Sequence, residues 1–144
     1  YFHDEVGWND RMPNINAALG VAQLEKISEK IKLKKLLLKN YLNAFKSCNN
    51  VKIFQDEDLM NKSNNWMISL LLEHNKPDLL DNFREKILTI SHKKGIYLRP
   101  AWKLLSELPM YKSNPRSSLK SASDLVKRLI NLPSSPQLIG NFKD

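Results

Sequence analysis

Cysteine is almost missing from this chain of 144 residues. A single Cys48 closes no internal disulfide, and with neither a second thiol nor a nearby histidine it offers no zinc spacing. A reducing cytoplasm is therefore the expected compartment. Glycine is scarce too: Gly7, Gly20, Gly95 and Gly140 stand singly, which excludes a glycine-rich phosphate loop. His3, His74 and His92 lie far apart among polar neighbours, without the paired spacings that bind a metal, so no metal site is expected. Long apolar runs are lacking as well. The most apolar stretch, Trp66 to Leu72, stops at Glu73 after a strand's length, far short of the roughly 18 residues a membrane span needs. The first residues hold no initiator Met, no basic region and no apolar core of a signal peptide, and read as the interior of a longer polypeptide.

What is present suits an ordinary globular domain: 42% apolar residues, 26% charged and a length sufficient for one core. The net charge of +8 raises the question of nucleic acid or another acidic partner. Many of the lysines, however, fall between Lys26 and Lys46 at positions that suit the solvated side of a helix. A basic interaction domain is the alternative this leaves open, and it requires strongly salt-dependent binding to any polyanion. Recruitment as a dimerisation module is a third reading, marked by an exposed apolar patch.

Ile15, Leu19, Ala22, Ile27, Ile31, Leu38, Leu42 and Phe45 recur at three- and four-residue steps, predicting one helix from about Pro13 to Ser47. Asn9 or Asp10 suits its cap, Pro13 an early helical position and Asn49-Asn50 its stop. At 1.5 Å per residue this helix is about 50 Å long, enough to bridge two bodies. Its first half is small and apolar, with Ala17, Ala18, Gly20 and Ala22, and its second half is lysine-rich with a leucine stripe. Val51–Phe54 and Asn65–Leu72 read as strands able to pair antiparallel, the second with Trp66, Ile68, Leu70 and Leu72 on one side. Pro77-Asp78 opens a helix that ends at Lys93-Lys94-Gly95; Ile96–Pro100 reads as a third strand, Leu119–Leu132 as a last helix, and Asn141 onward as a tail. The expected class is α+β, a small, mainly antiparallel sheet covered by helices.

Two segments carry more polar chemistry than a core requires. In Gly7-Trp8-Asn9-Asp10-Arg11-Met12-Pro13, Asn and Arg donors stand beside a helix start, where an anion is stabilised; the plainer reading is a cap with Arg11 packed on Trp8. In Tyr97-Leu98-Arg99-Pro100-Ala101-Trp102, followed by Leu108-Pro109-Met110-Tyr111, Arg99 with aromatic neighbours suits a phosphate, a base or a sugar ring; the plainer reading is a cation–π contact lining a loop.

In this order these segments resemble the DegT/DnrJ/EryC1/StrS family of sugar aminotransferases. Gly7 to Leu24 is similar to the family's Gly-Tyr-Asn-x-Arg-Met-x-x-Ile-x-Ala-Ala-x-Gly-x-x-Gln-Leu, Arg99 to Tyr111 to its Arg-x-x-aromatic stretch ending in Pro-x-Tyr, and Asn131-Leu132-Pro133 to its closing turn. The wording Arg99-Pro100-Ala101-Trp102 and Leu108-Pro109-Met110-Tyr111-Lys112 is most similar to the Leg-type branch, which aminates nucleotide-linked keto sugars on the way to legionaminic-acid-like or bacillosamine-like sugars. The resemblance implies the small C-terminal domain of an aspartate-aminotransferase-like, fold-type-I enzyme that uses pyridoxal 5'-phosphate and works as a homodimer. Residues 1–14 would be a cofactor-proximal loop of the larger domain, 15–48 the bridging helix and 49–144 the small α+β domain. Asn9 and Arg11 would serve the cofactor phosphate of the partner subunit, and Trp8, Arg99, Trp102 and Tyr111 the substrate.

The resemblance further implies a nucleotide-linked keto sugar as acceptor, an amino acid, glutamate, as donor, and a role in bacterial surface-polysaccharide synthesis, with no nucleic-acid partner and no membrane. In the family the lysine that holds the cofactor and the carboxylate that keeps its ring nitrogen protonated lie upstream of the Gly-x-Asn-x-Arg stretch. No lysine of this chain is therefore assigned a catalytic role, and the isolated chain is expected to be inactive. Two departures bear on substrate: Leu104-Leu105-Ser106 stands where the family often has Pro-Leu-His, and Trp8 where it has Tyr.

Overall fold

The computed structural model describes residues 5, 7–8, 10–55, 62–73 and 79–140. Helices α1 (Asn14–Glu25) and α2 (Ile27–Phe45) are followed by strands β1 (Val51–Phe54) and β2 (Ser69–Leu72), helix α3 (Leu80–Lys93) and strand β3 (Arg99–Pro100). Helix α4 (Lys120–Arg128) runs directly into strand β4 (Leu129–Asn131). Short 3-10 turns at Leu105–Glu107, Pro109–Tyr111 and Pro136–Ile139 complete the chain. The strands form one sheet in the order β1-β2-β4-β3 with every neighbour antiparallel, as expected for the α+β class.

The main core cluster lies on one face of that sheet, while Leu71 is buried on the other. Ile68, Leu70, Leu72, Ile130 and Leu132 point to the first face and pack against Leu37 and Leu38 of α2 and Leu80 and Leu88 of α3. Leu72 and Ile130 are completely enclosed. Burying each side chain of this size stabilises the fold by about 1.5–3 kcal/mol relative to exposure.

The last expected helix is only partly one. Its apolar residues fit a helical period through Val126, but Leu129–Ile130–Asn131–Leu132 alternates half-buried and buried and enters the sheet as β4. The backbone explains why: β4 pairs with β2 on one side and β3 on the other, satisfying donors and acceptors that a continued helix would leave stranded on both neighbours. Arg128 secures the junction, its Nε donating to the Leu72 carbonyl at 2.9 Å and its Nη1 to Asp124 Oδ2 at 2.8 Å.

The long bridging helix divides at Lys26, where ψ is 0° and the amide turns back to the Leu24 carbonyl. The division coincides with a change of environment: α1 has no buried residue, whereas α2 buries Leu37 and Leu38. The second strand is shorter than its apolar run, because Asn65 N–H donates to Ser63 Oγ and Trp66 N–H to Asn64 Oδ1 in side-chain turns. Asn65 sits there at φ 54°, a conformation its short polar side chain tolerates, and Trp66 is left 65% exposed instead of joining Ile68 on the core side. The third strand shrinks to Arg99–Pro100. Residues 94–96 close α3 in a Schellman turn, with Gly95 at φ +75°, Ile96 N–H on the Ser91 carbonyl and Gly95 N–H on that of His92. Pro77-Asp78 and Asn141 onward lie outside the described residues, as do His3 and His74.

The turn after β4 is clamped to α2. Lys34 Nζ donates to the Ser134 carbonyl at 2.7 Å and Tyr41 Oη to that of Pro133 at 2.9 Å. Partial burial pushes the Tyr41 phenol above its ordinary value and the Lys34 ammonium below its own.

Ile130→Ala should lose about 3 kcal/mol of stability and Leu19→Ala less than about 0.5 kcal/mol in chemical denaturation, because only the first leaves an internal void. Equal losses would contradict this placement of the core. The folded chain also holds the Tyr41 proton more tightly than the unfolded one. That contribution is complete below about pH 10 and lost as pH rises through the higher folded value. Tyr41→Phe should therefore lose less stability than the parent between neutral and strongly alkaline pH, and the comparison separates Tyr41 from Lys34, whose shift acts in the opposite direction.

Candidate functional site

The segment before α1 is built of groups without partners. Trp8 is 94% exposed and Arg11 is exposed with no hydrogen bond or ion pair among the described residues; Asn9 lies outside them. Asp10 is not the cap of α1. The N-cap is Pro13, which has no side-chain acceptor to offer, and the first turn holds no acidic residue. The first intrahelical bonds run from Asn16 and Ala17 to the Pro13 carbonyl, so the amides of Asn14 and Ile15 have no intrahelical acceptor. A guanidinium beside uncapped amides at the positive end of a helix is a donor set for an anion. Its openness continues along α1, where Ile15, Leu19, Val21 and Leu24 are all more than half exposed.

The second segment follows β3. Arg99 is exposed and makes no hydrogen bond, ion pair or ring contact among the described residues, so the cation–π reading of this loop is not what the fold shows. Trp102 is 73% exposed and Tyr111 lies on a 3-10 turn at the surface. His92, at the end of α3, bonds through Nε2 to the Leu98 carbonyl at 2.8 Å, and its ring meets Tyr97 at 5.7 Å between centroids. Ser106, where the family often has a histidine, accepts a bond from Arg116 through its carbonyl only. No hydrogen bond, ion pair or ring contact joins Trp8 or Arg11 to Arg99, Trp102 or Tyr111 among the described residues.

Register adds two residues that sequence reasoning did not select. Directly paired residues share a face, so Phe54, Ser69, Asn131 and Arg99 form a row across all four strands, on the face opposite the core. Ser69 Oγ donates to Asn131 Oδ1 at 2.7 Å, and Asn131 is directly opposite Arg99. The alternation of Leu129–Ile130–Asn131–Leu132 was the available signal, hidden by the helical period that precedes it. Elsewhere, a cleft of about 540 Å³ at the β1 edge is lined by Leu38, Ile53, Phe54, Gln55, Asn65 and Ile68; Gln55 Oε1 and Asn65 Nδ2 are buried there without a hydrogen-bond partner. Along α2, Lys32, Lys35, Lys39 and Lys46 are exposed, while Lys34 turns inward to Ser134. No helix among the described residues is long and apolar enough to cross a membrane, and none of their His, Cys, Asp and Glu side chains form a group of three suited to a metal.

The family model of the DegT/DnrJ/EryC1/StrS aminotransferases matches residues 1–141. This chain belongs to that family. It is 34% identical over 139 residues to the GDP-perosamine synthase of Escherichia coli O157:H7, covering 96% of this chain and 35% of that protein. It is 30% identical over 144 residues to EpsN of Bacillus subtilis, which bears the name of a pyridoxal phosphate-dependent aminotransferase, again with 96% and 35% covered. Among solved structures it is similar to Helicobacter pylori PseC, an aminotransferase of pseudaminic acid biosynthesis, with TM-score 0.77, 26% identity, 94% of this chain and 35% of that one. The chain thus spans about a third of the length of these relatives, and its fold is that of the family's small C-terminal α+β domain.

Pyridoxal phosphate is the cofactor the family implies. The donors before α1 fit its phosphate in kind, since Arg11 and the first-turn amides are cationic or positively polarised, unpaired and free of any competing carboxylate in the turn. All of them face solvent.

Proposed function

We propose that this chain is the C-terminal part of a pyridoxal-phosphate-dependent aminotransferase that moves an amino group from an amino acid, glutamate, to a nucleotide-linked keto sugar for a bacterial surface polysaccharide. The observation that carries the reading is the unpaired, anion-ready start of α1 on a helix with no buried residue, in a chain of this family. The names of the relatives, GDP-perosamine synthase and PseC among them, support a sugar substrate. A Leg-type acceptor is the finer form of the reading, supported by Arg99-Pro100-Ala101-Trp102 and Leu108-Pro109-Met110-Tyr111.

In this reading the protein acts as a cytoplasmic homodimer. Arg11, Asn9 and the first amides of α1 hold the cofactor phosphate of the partner subunit, and the exposed apolar side chains of α1 are covered by the rest of the assembly. Bound there, the cofactor supplies the electron sink for transamination. Arg99 offers its guanidinium to the substrate, while Trp8, Trp102 and Tyr111 form apolar walls that exclude water. A one-sided site without the family's cofactor lysine does no chemistry, so the isolated chain is inactive.

The test is made on the full-length protein. Wild type should show the visible absorption of bound cofactor, bleached by glutamate, and Arg11→Ala or Asn9→Ala should weaken cofactor retention by about tenfold, the worth of one charge-assisted hydrogen bond. A full-length protein that neither absorbs nor takes up added cofactor overturns the reading.

A further inference from the structure

The row on the open face of the sheet is the remaining polar constellation that the fold assembles from distant sequence. Ser69, Asn131 and Arg99 come from three strands, and antiparallel register puts them side by side. The Ser69 hydroxyl occupies Asn131 Oδ1 at 2.7 Å. An amide carries its oxygen and its nitrogen on one carbon, so with Oδ1 held by Ser69 of β2 the Nδ2 group remains as a donor, and β3 lies on the other side of β4. There Arg99 is the direct partner, exposed and without an acceptor among the described residues. Asn131 Nδ2 likewise has no acceptor there.

From this geometry we propose that Asn131, oriented by Ser69, and Arg99 together form an oxyanion subsite on the open sheet face, which takes a carboxylate or a phosphate of the substrate. The inference deepens the aminotransferase reading and rests on Arg99 facing the substrate. An amide NH2 beside a guanidinium offers donors and no acceptor, the complement of a carboxylate or phosphate edge and a poor match for a neutral hydroxyl, which must also donate. Neighbouring residues of the same face reinforce the choice: Phe54 ends the row and Leu129 borders it with apolar surface, and Glu73, the carboxylate of that face among the described residues, is paired with Lys52. Asn131 is a positioning and binding residue here, and Ser69 acts through it. Amino-acid donor and nucleotide sugar both carry such an anion, and two probes separate them.

The experiment is calorimetric titration of the full-length protein with glutarate, a dicarboxylate that has no amine to react, and separately with uridine diphosphate. Asn131→Asp is the informative variant, since its carboxylate keeps the bond from Ser69 but replaces the free donor with an acceptor. Asn131→Ala removes the donor without adding charge, and thermal unfolding checks that both variants are folded. The affinity of one probe should fall about tenfold in Asn131→Ala and further in Asn131→Asp, with a smaller fall in Ser69→Ala. Loss for glutarate alone assigns the subsite to the amino-acid donor, and loss for uridine diphosphate alone assigns it to the nucleotide sugar. Unchanged affinity for both probes in a folded Asn131→Ala overturns the inference. Because the readout is binding, it stands apart from the cofactor test: a protein with no cofactor absorption that still loses an anion at Asn131 keeps the subsite and loses the aminotransferase.

Discussion

The whole sheet, with its core face and its polar row, depends on β4 entering between β2 and β3. Ile130, fully enclosed, is the anchor of that insertion, and the same three residues that bury it also place Asn131 on the opposite face. Without β4 neither the pairing of Arg99 with Asn131 nor the bond from Ser69 exists, because each crosses a strand boundary that only β4 bridges. Arg128, which ties the end of α4 to the Leu72 carbonyl, and the Lys34 and Tyr41 clamps on the following turn hold the insertion at both ends. The core and the row of Ser69, Asn131 and Arg99 are thus on two faces of one strand, set apart by period-2 alternation.

The contrast between α1 and α2 makes the complementary point. α2 buries leucines against the sheet, whereas α1 holds Ile15, Leu19, Val21 and Leu24 in the open. A helix this apolar has no thermodynamic reason to stay solvated, so it carries the imprint of a second surface. The start of α1 and the polar row of the sheet share this openness, with donors that meet no acceptor among the described residues. That is the physical content of a domain spanning about a third of its relatives.

Much of this was legible in the sequence, and the reasons for success and failure are local. The amphipathic leucine period of α2, the strand at Val51–Phe54, its antiparallel partner and the glycine stop at Gly95 were all visible, because each is specified by side chains within a few residues. The family motif from Gly7 to Leu24 was legible for the same reason. The fourth strand was not. Leu129 and Ile130 continue a helical apolar period, and only the unmet hydrogen bonds of β2 and β3, far away in sequence, turn them into a strand. The division at Lys26 was hidden in the same way, since it follows from which half of the helix finds a core. The cluster at Asn131 was not visible because its partners Ser69 and Arg99 are brought to it by register alone.

The most direct test of the account is hydrogen exchange on this chain alone and within the full-length protein. In the isolated chain, the amides of α1 should exchange fast and those of β2 and β4 slowly, since only the latter belong to the enclosed core. In the full-length protein α1 should become protected to a degree approaching the sheet. Strong protection of α1 in the isolated chain, or none in the full-length protein, would contradict the claim that α1 is one half of a surface completed elsewhere.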